Sequence, residues 1–105
     1  MAYTLEITDG AMAELDDLRA HDHRRVLETI DAQLKHEPGV PTRNRKCLGE
    51  GMTANFEYVP PLWELRVGEF RVFYEIADQA TTVIIHAVRR KPSDRTTTEV
   101  LNEGD

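Results

Sequence analysis

Two arginines, Arg66 and Arg71, flank Gly68-Glu69 inside the stretch LWELRVGEFRVFYEI, residues 62–76. Two alternating apolar runs separated by two residues, one of them Gly, predict a tight β-hairpin. Gly at the first central position suits a type II′ turn, which needs φ > 0 there. With that loop, Val67 faces Phe70, Arg66 faces Arg71, Leu65 faces Val72 and Trp63 faces Tyr74. Like charges opposed across a strand pair cost about 0.2–1 kcal/mol, so the arginine pair needs compensation. Two arrangements supply it. Glu64, diagonal to Arg71, neutralises a solvated face; or the two guanidiniums hold an anion, most simply a phosphate. In the second case Glu64 is either their salt partner or a proton acceptor beside them.

Further cations stand nearby in the sequence: Arg43, Arg45 and Lys46 in one segment, and Arg89, Arg90, Lys91 and Arg95 towards the C-terminus. A solvated loop explains the first group; a phosphate-contacting loop explains it if the segment folds beside Arg66 and Arg71. An array of this kind is suited to metal-free RNA cleavage. There the substrate's 2′-hydroxyl is the nucleophile, and the protein supplies orientation, charge stabilisation and proton transfer.

Other chemistries lack their residues. His21 and His23 are two apart and point to different sides of a helix. His36 and His86 have no carboxylate or thiol at ligand spacing, so no metal is expected, and His86, inside a strand, reads as a satisfied structural histidine. There is no Gly-rich phosphate loop with its Lys. Cys47 has no nucleophile motif and reads as a packing residue. No cofactor is implied.

The elements that must position these residues follow from periodicity. Tyr3–Thr8 alternates and reads as a strand, with Tyr3, Leu5 and Ile7 on one side. Thr8 or Asp9 caps a helix that runs through Ala20 on Met12, Leu15 and Leu18. After a break at His21-Asp22-His23, Asp22 caps a second helix over residues 23–36, with Val26, Leu27, Ile30 and Leu34 as its apolar stripe. Glu37-Pro38-Gly39 ends it. Arg45–Leu48 is a short extended piece within a loop, and Asn55–Val59 alternates as either a strand or a strand lead-in that Pro60-Pro61 ends or bends. The hairpin follows; its core face is Trp63, Leu65, Val67, Phe70, Val72, Tyr74 and Ile76, and its other face is Glu64, Arg66, Arg71 and Phe73. Asp78-Gln79 turns into a β-branched strand, Thr81–Val88. Thr96 and Glu99 have capping-box spacing for a short helix through Leu101. Helices in a block before a block of strands predict an α+β fold, with the helices on one sheet face and the other face open.

With 105 residues, the chain is expected to form one domain over 1–105. A single Cys rules out an internal disulfide. No apolar run reaches membrane-spanning length, and MAYTLEITDG lacks a basic segment followed by an apolar one, so neither a membrane span nor a signal peptide is expected. A cytoplasmic protein is the simple inference. The net charge of −6 argues against indiscriminate nucleic-acid binding. Residues 1–37 hold nine acids and four bases, residues 38–105 ten acids and nine bases. An acidic helical layer behind a basic sheet face would satisfy that polarity.

In this order, the opening strand MAYTLEI, the helical pair, RNRKCLGEG, WELRVGEFRVFYEI and VIIHAVRRK resemble the RelE/ParE superfamily of bacterial toxins from type II toxin–antitoxin pairs. GEFRVFYEI is the most specific piece. The resemblance implies a small α+β domain with a concave sheet face, and a cognate antitoxin that wraps the toxin and offers acids to Arg66 and Arg71. The RelE-like branch cuts messenger RNA on the ribosome without a metal; the ParE-like branch inhibits DNA gyrase. By the same resemblance, Arg71 matches an arginine that stabilises the scissile phosphate, and Lys91 falls near a basic residue of similar role. The chain also departs from the nucleases. Leu62 and Glu64 stand where some carry lysines, threonines around Thr97 where some carry an acidic tyrosine or histidine, and the net charge is negative. The expectation is a ribosome-associated mRNA endoribonuclease with Arg71, Arg66, Lys91 and Glu64 in its catalytic site and Arg43, Arg45, Lys46, Arg89, Arg90 and Arg95 on RNA. A gyrase inhibitor acting by contact, or an inactive antitoxin-binding homologue, are the alternatives.

Overall fold

The computed structural model describes residues 2–103; Met1, Gly104 and Asp105, which the expected 1–105 domain includes, lie outside the described residues. The elements run β1 (Thr4–Ile7), α1 (Asp9–Asp16), α2 (Ala20–Leu34), β2 (Arg45–Cys47), β3 (Trp63–Val67), β4 (Phe70–Ala77), a 3-10 turn at Asp78–Ala80, β5 (Thr82–Arg90) and α3 (Thr97–Leu101). They form an α+β fold with one five-stranded sheet, ordered β1-β5-β4-β3-β2. β1 runs parallel to β5, and the other neighbours are antiparallel.

The hairpin has the expected register: Val67 opposite Phe70, Arg66 opposite Arg71, Trp63 opposite Tyr74. Gly68 has φ 57°, and the Arg25 guanidinium packs where a Cβ on it would lie. Trp63, Leu65, Val67, Phe70, Val72 and Tyr74 enter the main core, which Ala11 and Leu15 of α1 and Val26, Ile30 and Leu34 of α2 cover. Tyr3, Leu5 and Ile7 pack at its margin. The Tyr74 hydroxyl, deep in that core, donates to the Pro38 carbonyl at 2.8 Å, and burial raises its pKa well above the ordinary tyrosine range.

Several expectations change. The break between helices lies at Asp17–Arg19, so α1 is shorter and α2 starts earlier than periodicity suggests. Asp22 does not cap; it sits in the first turn of α2, where the N-terminal end of the helix dipole favours an acid. His23 Nδ1 lies 2.9 Å from the Leu15 carbonyl and satisfies an end of α1.

Residues 55–59 form no strand. Their backbone is satisfied outside any ladder: Asn55 N–H donates to the Leu101 carbonyl at 3.0 Å, and Val59 N–H donates to the Glu75 carboxylate at 3.1 Å. The alternation of apolar residues is nonetheless real. Met52, Ala54, Phe56 and Tyr58 lie against the second face of the sheet.

That second face is therefore not open. Leu62, Phe73 and Ala87 make an apolar strip across it, and Val100 and Leu101 of α3 close over the strip with the 48–58 segment. Leu62, Phe73, Ala87, Val100 and Leu101 are all fully buried. α3 is fixed at its start by the expected capping box, Thr96 with Glu99.

Candidate functional site

The sheet register lines up three arginines across the second face: Arg66 of β3, Arg71 of β4 and Arg89 of β5. Arg89 joins the row because β5 carries a bulge opposite Phe73/Tyr74. The extra residue is His86. Ile85 stays on the core face, His86 and Ala87 both lie on the second face, and Val88 returns to the core.

The three guanidiniums have different fates. Arg89 is absorbed by the fold. Its Nε donates to Glu14 at 2.7 Å, Nη1 to the Val100 and Leu101 carbonyls at 2.9 and 2.8 Å, and Nη2 to Asn55 at 2.8 Å. The carbonyls are end groups of α3, so Arg89 fixes the helix that closes the second face. Arg71 folds back on its own turn, with Nη1 donating to the Gly68 and Phe70 carbonyls at 2.8 and 2.9 Å. Burial lowers its pKa, Glu64 acts against the lowering and Arg66 adds to it. Arg66 is exposed.

Glu64 lies beside this row, opposite Lys46 of β2 and Phe73 of β4. It is 8% exposed, and its Oε2 is sealed from solvent with no hydrogen-bond partner. The remaining candidate cations disperse. Arg45 is buried and donates to the Val40 carbonyl and to the Gln33 backbone and side-chain oxygens, so it ties the loop to the end of α2. Arg90 pairs with Glu69 and lies over the Phe70 ring. Arg95 pairs with Glu103 at 3.3 Å. Lys91 is half-buried just past β5, and Arg43 and Lys46 are exposed. The structure brings together Arg66, Arg71 and Glu64, while Arg45 and Arg89 are engaged inside the fold. Among the described residues, no group of three or more His, Cys, Asp or Glu side chains could hold a metal ion.

A second constellation was not apparent from sequence. His86 Nε2 donates to Glu75 Oε1 at 2.6 Å, and the Phe56 ring stacks on the imidazole with centroids 5.2 Å apart. Glu75 also lines a cavity of about 690 Å³ with Met52, Thr53, Ala54, Phe56, Glu57, Tyr58 and Val59. Two residues past Phe73 on β4, Glu75 shares that residue's face by strand alternation. The bulge that brings His86 to it leaves no mark in the sequence.

The kinship is decided by one match: the family of the ParE toxin of type II toxin–antitoxin systems, parDE, matches residues 5–94. The chain belongs to this toxin family. No curated protein matches it. Among solved structures, the toxin is similar to a chain of the RelBE2 toxin–antitoxin complex of Mycobacterium tuberculosis, with 27% identity and TM-score 0.70 over 87% of this chain and 93% of that one. It is also similar to a chain of the archaeal RelE–RelB complex of Pyrococcus horikoshii, with 27% identity and TM-score 0.67 over 91% and 100%. The isolated E. coli RelE toxin shares the fold at 18% identity and TM-score 0.65, over 91% and 89%.

Proposed function

We propose that this toxin acts by binding its target and not by cutting RNA, with DNA gyrase as the target its ParE kinship suggests and a cognate antitoxin as its neutralising partner. One observation carries the reading: the sheet face that a nuclease would use is closed by its own chain. Leu62, Phe73 and Ala87 are covered by α3 and the 48–58 segment, and Arg89 is spent on holding α3 there. Cleavage by attack of the 2′-hydroxyl gains about 10²–10⁴-fold from positioned proton transfer. The carboxylate nearest Arg71 in charge terms is Glu64, and one of its oxygens is sealed. A sealed oxygen does not exchange protons with a substrate. The antitoxin reading draws support from two of the similar structures, which are complexes of toxin with antitoxin.

One observation favours the nuclease reading as a second possibility. Exposed Arg66 and partly exposed Arg71 stand opposite each other at the hairpin end, beyond the apolar cover, and the 27% identical neighbours belong to RelE complexes. The experiment is a supercoiling assay with purified gyrase and purified toxin. Inhibition that survives Arg71→Ala supports action by contact. Normal supercoiling at stoichiometric excess of toxin removes gyrase as the target.

A further inference from the structure

The cavity beside β4 has walls of two kinds. Met52, Ala54, Phe56, Tyr58 and Val59 make it apolar and aromatic, while Glu57 and Glu75 make it acidic. No lysine or arginine lines it, so it is ill suited to a phosphate.

Glu75 is the buried member, at 6% exposure. Its Oε1 is doubly engaged, accepting from Val59 N–H at 3.1 Å and from His86 Nε2 at 2.6 Å. Those two contacts fix the carboxylate, and the Phe56 ring behind His86 keeps the imidazole in place. Oε2 has no hydrogen-bond partner among the described residues. It is also not sealed, since Glu64 Oε2 is the one unpartnered side-chain atom closed to solvent among them. Glu75 thus carries a held, almost wholly buried carboxylate with one unpartnered oxygen on a cavity whose other walls, Glu57 and Thr53 apart, are apolar or aromatic. Val59, at the rim, is 69% exposed, so an apolar neighbour of any occupant has a surface to cover.

We propose that this cavity takes the guanidinium or ammonium group of a basic side chain on an apolar-flanked segment of the antitoxin. The chemistry follows from the walls. A cation placed on Glu75 Oε2 gains a charge-assisted hydrogen bond in a partly desolvated site. Glu57 adds a second negative charge, and Tyr58 offers a ring for the cation or its alkyl stem. The identity of the partner rests on the toxin–antitoxin reading; the chemistry of the pocket does not.

The test uses the full-length toxin and a blocked dipeptide, N-acetyl-leucyl-arginine amide, titrated with NMR detection of the Phe56, Tyr58 and His86 rings. The citrulline analogue, of the same shape without the charge, serves as comparison. The expected result is saturable shifts at those rings with the arginine peptide, and binding weaker by about tenfold or more with citrulline or with Glu75→Gln. Glu75→Gln retains an oxygen for Val59 N–H, and an unchanged amide spectrum away from the cavity reports its folding. Glu57→Ala, on an exposed side chain, gives a smaller loss and a second check. Equal binding of both peptides, or no shift at these rings, overturns the proposal. Because the titration needs neither antitoxin nor target, its outcome stands whether or not the toxin inhibits gyrase.

Discussion

At the scale of single residues, charge type alone did not reveal which arginines were free. Arg66, Arg71 and Arg89 stand in one cross-strand row, yet only Arg66 is exposed. The pairing of Arg66 with Arg71 was legible because a two-residue loop fixes register. The capture of Arg89 was not, because its partners Glu14, Asn55 and the end of α3 are remote in sequence. Removing Arg89 leaves Glu14 Oε2 and the Asn55 side-chain oxygen without a donor and takes a second donor from the Val100 and Leu101 carbonyls, which keep backbone bonds from Asn102 and Asn55. Arg89→Ala should cost about 2–4 kcal/mol in urea unfolding, and Arg89→Lys should recover little, since an ammonium cannot span the four acceptors. Arg66→Ala should change stability by less than about 0.5 kcal/mol. Equal losses in Arg89→Ala and Arg66→Ala would mean that the Arg89 contacts contribute nothing.

At the scale of elements, the hairpin, β5 and the capping box were readable from local signals: alternation, a Gly in the turn, β-branched residues, and Thr96 three before Glu99. Gly68→Ala should cost about 1–2 kcal/mol, because φ 57° is strained for a residue with a Cβ and the new methyl would displace Arg25. The helix break was misplaced because Asp22 suits both a cap and a first turn, and sequence alone does not separate the two. The 52–58 segment shows strand-like alternation without a strand, because its apolar side chains cover a sheet face while its backbone bonds elsewhere. α3 makes a pH prediction. Hydrogen bonds from the Thr96 backbone and side chain hold the Glu99 pKa below its ordinary value. A carboxylate whose pKa is lower in the folded state contributes stability above its unfolded pKa, about 4.3, and loses it as pH falls through the folded value. The stability difference between the wild type and Glu99→Gln should therefore be present at neutral pH and close in acid. A gap that persists below both values would point to a contribution of Glu99 that does not depend on its charge.

At the scale of the whole molecule, the charge polarity of the sequence was real but its layout was not a basic sheet face behind acidic helices. Glu57, Glu64 and Glu75 lie on or beside the second face, and of the exposed cations Arg43 and Lys46 lie at or beside β2, Arg66 on the hairpin, and Arg19, Arg24 and Arg25 at or in α2. The fold class was legible because helices and strands come in separate blocks. The closure of the second face was not, because it depends on α3 and a loop meeting across it. Leu62 shows the consequence for function. It occupies a fully buried place, so a lysine introduced there would be driven under the apolar cover and should destabilise the toxin instead of restoring a nuclease.

On the function proposed above, this toxin works by contact and leaves RNA whole. The most direct test is incubation of purified, antitoxin-free toxin with ribosomes holding a defined messenger in the decoding site, with cleavage mapped by primer extension. Action by contact predicts full-length messenger at every time point, alongside inhibition of gyrase by the same preparation. Cuts in the messenger that disappear with Arg71→Ala would contradict it and return the hairpin arginines to catalysis.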